Sequence, residues 1–205
     1  MHRFAELINI DDDPGLAVRI ASKLFNSGHI FIYPTDTIYG FGCNPFNSNA
    51  LKNLNDIKNR GGKKGYILLV YNLELLFRYT IKLEKKQIEL LKKIWPNPVS
   101  VILKLNETTK RELELNSAAF RIPDNPFCIN LLNSIKKPLV STSVNISGEQ
   151  HLNNYLEIKR EYADKVSAIF YTKAETNDEP STLIDFTKSK PVILRKGKIK
   201  FIELL

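Results

Sequence analysis

The sequence predicts an α/β protein built on a twisted, mixed β-sheet with flanking helices. Short apolar runs of strand length alternate with longer amphipathic segments along most of the chain, and a group of strand-like runs follows near the C-terminus. The chain has 205 residues, of which 43% are hydrophobic, and shows no repeat, low-complexity tract or linker. One domain covering residues 1–205 is therefore expected.

Each element follows from a local pattern. Residues 11–28 contain three aspartates, then Pro14, then a broad apolar face that ends at Gly28, which predicts a helix. The run 29–34 is short and apolar and ends at Pro34, which predicts a buried strand. The same criteria predict helices over 47–57, 84–95, 126–135 and about 153–162, and strands over 66–71, 99–105, 118–122, 138–142, 167–171, 181–186, 191–195 and 199–204.

Composition narrows the class of protein. The formal net charge of +8 favours anionic partners such as nucleotides or nucleic acid. No apolar run reaches membrane-spanning length, and acids stand where a signal peptide would have its apolar core, so we expect a soluble, cytoplasmic protein with no membrane partner. Cys43 and Cys128 lie far apart and the three histidines are scattered, so neither a disulfide framework nor a protein-built metal centre is expected.

Polar side chains follow two of the predicted strands. The stretch 34-PTDTIYGFG-42 follows one strand, and 138-PLVSTSVNISGE-149 begins as another. Ligands of α/β sheets gather beyond the carboxyl ends of strands, so both stretches are candidate binding segments. Hydrogen-bonded turns and a helix cap explain them equally well at this point. A nucleophilic role for Ser143 is not favoured, because no G-x-S-x-G motif accompanies it.

Cations cluster in a third segment, 58-KNRGGKK-64, which runs into a predicted strand. Neither a Walker loop nor G-x-G-x-x-G is present, so a phosphate would be held by side chains such as Arg60, unless the segment is a solvated loop. Arg121 and Arg195 lie within apolar runs and each needs an anion or a carboxylate partner. Asp36 or Asp185 would serve as an ordinary salt-bridge partner.

Taken in chain order, these motifs resemble those of the YrdC/TsaC family, the threonylcarbamoyl-AMP synthases that begin threonylcarbamoyladenosine modification of tRNA. The resemblance extends from about residue 13 to about residue 200. Departures are Gly61 in place of a usual proline, and Asn97 and Ser100 in place of glycine and threonine. The motifs stand here as 34-PTDTIYGFG-42, Lys58-Asn59-Arg60 with Lys64-Gly65, 95-WPNPVS-100, 121-RIP-123, Ser143-Val144-Asn145, 180-PSTLID-185 and 194-LRKG-197.

The resemblance implies a YrdC-like domain of the short type, with a basic concave cavity, and a two-step reaction. L-threonine is carboxylated on its amine by bicarbonate or CO2, and the product attacks the α-phosphate of ATP, releasing pyrophosphate. Mg2+ would enter with ATP, and a separate complex would transfer the threonylcarbamoyl group to tRNA. Adenylyl transfer needs fixed cations more than a nucleophile.

The resemblance also implies residue roles. Lys58, Arg60, Ser143 and Asn145 would be catalytic. L-threonine would be held by Thr35, Arg121 and Ser181, with Arg121 on its carboxylate. ATP would contact Lys58, Arg60, Lys64, Ser117, Ser143, Asn145 and Arg195. No protein-held metal is expected.

Two other functions stay open from the sequence. One is an RNA-binding protein that uses a basic face on tRNA or double-stranded RNA without turnover, although no RNA-binding motif supports it. The other is a carbamoyl-adenylate enzyme like the related domain of hydrogenase-maturation carbamoyltransferases. If the synthase assignment holds, alanine at Lys58 or Arg60 should lower turnover severely and leave thermal unfolding nearly unchanged.

Overall fold

The computed structural model describes residues 4–61, 65–174, 178–188 and 190–199. Within these ranges the strands are β1 (Glu6–Asn9), β2 (Phe31–Tyr33), β3 (Gly40–Gly42), β4 (Ile67–Leu69), β5 (Val99–Lys104), β6 (Ser117–Arg121), β7 (Leu139–Ser143), β8 (Ala168–Tyr171), β9 (Thr182–Asp185) and β10 (Val192–Arg195). The helices are α1 (Pro14–Asn26), α2 (Ser48–Ile57), α3 (Leu73–Phe77), α4 (Lys85–Ile94), α5 (Glu107–Leu113), α6 (Pro126–Ile135) and α7 (Tyr155–Tyr162).

The strands form one mixed sheet in the order β1-β8-β2-β3-β7-β4-β6-β5-β9-β10, with helices on its faces, and this confirms the predicted fold class. The sheet combines parallel pairs such as β4 with β6 and β5 with β9 and antiparallel pairs such as β3 with β7. None of the helices in the described ranges has the length and apolar character needed to cross a membrane.

All five predicted helices are present, and so is every predicted strand except the last. That strand, 199–204, lies almost wholly outside the described residues. The sequence reading missed β1, β3, α3 and α5. The β3 segment is Gly-Phe-Gly, and glycine disfavours strands, so its polar flanks suggested a turn. It is nevertheless fully buried between β2 and β7.

Short polar side chains start most of the helices. Asp13 accepts a hydrogen bond from the Leu16 backbone N–H at 2.8 Å and so caps α1. An asparagine side chain likewise caps each of five further helices, which satisfies N–H groups that have no partner inside the helix. These caps are Asn47, Asn72, Asn106, Asn125 and Asn154.

The two faces of the sheet are covered differently. One face carries Leu68, Phe120 and Val140 and packs with α2, α3, α4 and α7 in the larger apolar cluster. On the other face, Leu69 and Leu139 belong to a second cluster under α1 and α6. Because side chains alternate along a strand, the residues two and four positions beyond Leu139, namely Ser141 and Ser143, share that second face. There the apolar cover ends and a cavity begins.

Candidate active site

The cavity has a volume of about 370 Å³ and lies on this second face of the sheet. Its floor is made of paired strand residues: Ile67 of β4 stands opposite Ser141 of β7 and Ala119 of β6, and Gly40 stands opposite Ser143. Small residues at these positions leave room above the sheet. The described lining is Thr37, Ile38, Tyr39, Gly40, Arg60, Gly65, Tyr66, Ile67, Ile102, Ser117, Ala118, Ala119, Arg121, Ser141, Thr142, Ser143, Pro180, Ser181, Leu183 and Arg195.

The charged side chains in the described lining are all cations. Arg60, Arg121 and Arg195 come from three separate parts of the chain, and the described lining contains no carboxylate. Hydroxyl groups of six serines and threonines supply further hydrogen-bond partners. A concave site of this kind concentrates anions, because low-dielectric walls focus the field of the cations.

Arg121 is the most deeply placed of the three arginines. Its side chain is 3% exposed, and its Nη2 lies 3.3 Å from Oδ1 of Asp36, whose side chain is 5% exposed. Its Nη1 donates to Oγ1 of Thr37 at 3.0 Å. Its Nε finds no hydrogen-bond acceptor among the described residues. Asp36 is thus the salt-bridge partner that the sequence left open.

The Thr-Asp-Thr segment is a hydrogen-bonded turn. Thr35 Oγ1 donates to the Ile38 carbonyl at 2.8 Å and accepts from the Thr37 backbone N–H at 3.0 Å. The turn interpretation is therefore confirmed for Thr35. Its side chain is absent from the described lining of the cavity and instead lines a neighbouring cavity of about 290 Å³. Its contact with L-threonine stays a prediction.

Lys58 lies behind the cavity instead of at its rim. It is 3% exposed, and its Nζ donates to the carbonyls of Ser143 at 2.6 Å and Asn145 at 2.9 Å and to Oδ1 of Asn145 at 2.8 Å. Ser143 Oγ donates to the same Oδ1 at 2.7 Å. Lys58, Ser143 and Asn145 thus form one network, in which the ammonium group uses all three of its N–H donors on protein oxygens.

The environment of Lys58 also changes its acidity. Burial, and secondarily repulsion from the Arg60 guanidinium, lowers the pKa of Lys58 to about 8. Its role as a phosphate ligand stays a prediction. What the geometry gives it directly is a hold on the loop that carries Ser143 and Asn145.

Arg60 follows the C-terminus of α2 and reaches the cavity beside Tyr66. Its guanidinium carbon lies 4.6 Å from the centre of the Tyr66 ring, and the Tyr66 hydroxyl donates to Oδ1 of Asn55 at 2.5 Å. Such a cation–π contact holds a guanidinium in one orientation. Lys64, the other predicted ATP contact in this segment, lies outside the described residues.

The two C-terminal motifs, 180–185 and 194–197, contact each other. Arg195 donates from Nε to the Ser181 carbonyl and from Nη2 to Ser181 Oγ, both at 3.1 Å, and Ser181 Oγ lies 2.8 Å from Ser100 Oγ. A Cβ on Gly197 would lie 2.2 Å from the Pro180 carbonyl oxygen, so only glycine allows this approach. Burial, and then repulsion from Arg121, lowers the pKa of Arg195.

The structure brings most of the predicted site residues to one place. Arg60, Ser117, Arg121, Ser143, Ser181 and Arg195 line the cavity, and Lys58 and Asn145 join it through Ser143. Sequence reasoning gave no role to Thr37, Ser141 or Tyr66. The alternation of side chains along β7 was a usable signal for Ser141, whereas nothing local indicated that Tyr66 would stack on Arg60.

Fold and site together define an α/β protein with an arginine-rich cavity on one face of a mixed sheet. The Sua5/YciO/YrdC family model, described as "Telomere recombination", matches residues 23–197. The chain belongs to this family, as the motifs predicted.

Individual relatives agree with the family match. The chain is 32% identical over 174 residues to a protein of Vibrio parahaemolyticus named threonylcarbamoyl-AMP synthase, an alignment that covers 83% of this chain and 93% of the relative. The structure of YciO from E. coli superposes with a TM-score of 0.84 at 26% identity, covering 98% of each chain.

A third relative was solved with a ligand. The structure of Sua5 from Pyrococcus abyssi in complex with L-threonine superposes with a TM-score of 0.84 at 28% identity. The match covers 91% of this chain and 55% of that protein, so the chain spans little more than half of the length of Sua5.

Proposed function

We propose that the chain is a threonylcarbamoyl-AMP synthase, which forms threonylcarbamoyl-AMP and pyrophosphate from L-threonine, bicarbonate or CO2, and ATP. That it is an enzyme follows from its family, whose curated relatives are named as this synthase. The observation that carries the proposal is the cavity itself, where three arginines converge with hydroxyls from β6 and β7 and no described carboxylate lines the space.

The arginines and the buried network fit the needs of adenylyl transfer. The carbamate oxygen forms a bond to the α-phosphorus while the bond to the departing pyrophosphate breaks, so negative charge increases on the leaving group. Arg60 and Arg195 would bind the phosphates and stabilise that charge. Lys58 would keep Ser143 and Asn145 in position beside them, since it binds both residues.

L-threonine would occupy the other end of the cavity. Arg121 would bind its carboxylate through the N–H that has no protein acceptor in the described ranges. Ser181, held by Arg195 and Ser100, would contact the same amino acid. Sua5, the P. abyssi relative, was solved with L-threonine, which supports this choice of substrate.

Mg2+ would arrive with ATP. No group of three or more potential metal-binding His, Cys, Asp or Glu side chains exists in the described ranges, while the serine and threonine hydroxyls of the cavity suit a metal that keeps phosphate oxygens and water as its main ligands. Asn145, which accepts a hydrogen bond from Ser143, would orient the nucleotide or its metal. The bound Mg2+ would offset charge on the triphosphate.

Pyrophosphate release tests this function. Turnover should require ATP, L-threonine and bicarbonate together, and carbamoyl phosphate should not replace L-threonine. Arg60→Gln should raise the KM for ATP at least about tenfold, because a charged hydrogen bond to phosphate is lost. Arg19→Gln, an exposed arginine on α1, makes the same charge change away from the cavity and should behave as wild type.

Other outcomes would assign the chain elsewhere. Release that ignores L-threonine would indicate a different acyl-adenylate chemistry. A folded chain that binds RNA with a steep salt dependence and releases no pyrophosphate would be the RNA-binding protein considered from the sequence. Delivery of the product to a separate threonylcarbamoyl-transfer complex is part of the proposal and is tested by adding such a complex and tRNA.

A further inference from the structure

We infer that Asp36 decides which anion each arginine of the cavity binds. By neutralising Arg121 it reserves that guanidinium for a carboxylate and keeps polyphosphate on Arg60 and Arg195. This inference rests on the proposed function for the identity of the two anions, a carboxylate and a polyphosphate. It assigns a specificity-determining role to an acid that is absent from the described lining of the cavity.

The three arginines differ in their partners. Arg121 forms a salt bridge with Asp36, and both side chains are nearly fully buried. Within the described ranges no carboxylate forms a salt bridge with Arg60 or Arg195. Arg195 instead donates to the neutral backbone and hydroxyl oxygens of Ser181, and Arg60 stacks on an aromatic ring. Among the described residues, the cavity therefore contains two arginines without a carboxylate partner and one that has such a partner.

Charge then separates the ligands. Pyrophosphate carries several negative charges, and at Arg121 repulsion from Asp36 would oppose its attraction to the guanidinium, in a site where burial makes both forces strong. A carboxylate carries a single charge and would gain a hydrogen bond from Arg121, whose Nε–H has no acceptor among the described residues. The salt bridge therefore costs polyphosphate much more than it costs a carboxylate.

The arrangement also prevents a specific error. Arg195 lies close enough to Arg121 for repulsion between them to add to the effect of burial, which is the larger cause of the lowered pKa of Arg195. Two neighbouring arginines without an acid would form a strong polyphosphate site across both ends of the cavity. Released pyrophosphate would then occupy the place intended for the amino acid.

Calorimetric titration with inorganic pyrophosphate tests this on the full chain. Asp36→Asn keeps the shape of the side chain and removes its charge, while Asp124→Asn makes the same charge change at an exposed position three residues beyond Arg121. In wild type, saturating L-threonine should leave the pyrophosphate Kd unchanged within about twofold. Asp36→Asn should bind pyrophosphate at least about tenfold more tightly, and L-threonine should now weaken that binding. Asp124→Asn should match wild type.

Three results would overturn the inference. They are equal pyrophosphate affinity in Asp36→Asn and Asp124→Asn, pyrophosphate binding by neither variant, and competition between pyrophosphate and L-threonine in wild type. The wild-type arm needs no variant, so a failure of Asp36→Asn to fold leaves the question answerable. Failure of the proposed function would appear separately, as wild type that releases no pyrophosphate from ATP in response to L-threonine.

Discussion

Replacing Lys58 by methionine removes three hydrogen-bond donors from the centre of the site while keeping a side chain of similar length. In the structure its Nζ holds the Ser143 carbonyl and two oxygens of Asn145. Methionine fills the space left by the lysine stem and donates nothing. The carbonyl oxygens of Ser143 and Asn145 lose the donor, whereas Asn145 Oδ1 keeps its hydrogen bond from the Ser143 hydroxyl.

Two opposing effects set the size of the change. Leaving a buried acceptor without a donor costs ~1–3 kcal/mol for each carbonyl. Removing the buried charge returns part of this free energy, because burial disfavours the ammonium. The net loss should be about 2 kcal/mol, which lowers the unfolding midpoint of a domain of this size by about 4–8 °C. A displacement of Ser143 and Asn145 by an ångström should lower kcat about 100-fold.

Calorimetric unfolding and steady-state pyrophosphate release measure the two effects at pH 7. Lys52→Met is the matched control, since Lys52 is exposed on α2, the helix that ends just before Lys58, and the substitution removes the same charge. It should unfold and turn over as wild type does. A Lys58→Met midpoint within about 1 °C of wild type would contradict the argument from the buried network. So would a kcat that remains within about twofold.

Three further predictions concern other parts of the molecule. Gly197→Ala should lower turnover, because the added Cβ would lie 2.5 Å from the Ser181 carbonyl carbon and would push the Ser181 backbone aside. Normal turnover would show that the backbone has room for the methyl group. The free energy of unfolding of wild type, relative to that of Lys58→Met, should rise from pH 8 toward pH 10. The reason is that the folded lysine loses its proton near pH 8 while the unfolded lysine keeps it. A difference that stays constant with pH in denaturant unfolding would contradict this. Burial raises the pKa of Cys43 to about 12 and also raises that of Cys128. A thiol reagent at pH 8 should therefore label neither cysteine until the chain is unfolded. Rapid labelling of the native chain would refute their burial.

The fold was predictable from the sequence to the extent that its elements carry their own patterns. The helix over 14–26 has an aspartate cap, an early proline and an apolar face, and each of these is local. Strand β3 has none of them, because its Gly-Phe-Gly segment is a strand only by virtue of its neighbours β2 and β7. Pairing with neighbouring strands determines whether such a segment becomes a strand, and the local sequence does not show that pairing.

The candidate site was predictable as a set of residues but not as a set of contacts. Motif order brought Arg60, Arg121 and Arg195 together correctly. It predicted that Lys58 binds ATP and that alanine there leaves thermal unfolding nearly unchanged, whereas the residue is buried and holds the loop that follows β7. On this geometry we expect Lys58→Ala to lower stability as well as turnover. Charge and spacing do not show which cation points into a cavity and which one points into the protein.

The pairing of Arg121 with Asp36 shows the same limit. From the sequence, Asp36 and Asp185 were equal candidates for a salt bridge. In the structure, Asp185 accepts hydrogen bonds from the backbone and hydroxyl of Thr187 and closes a turn, while Asp36 lies against Arg121. The register of β6 beside β4 positions Arg121, and the turn between β2 and β3 positions Asp36. The sequence around each residue shows neither.

The most direct test of the synthase assignment is to identify the product by mass spectrometry after incubating the chain with ATP, Mg2+, L-threonine and ¹³C-labelled bicarbonate. The account predicts a compound that contains AMP, threonine and one labelled carbon, and that disappears when L-threonine is omitted. An adenylate without threonine, or the absence of any AMP adduct from a folded and ATP-binding chain, would contradict it.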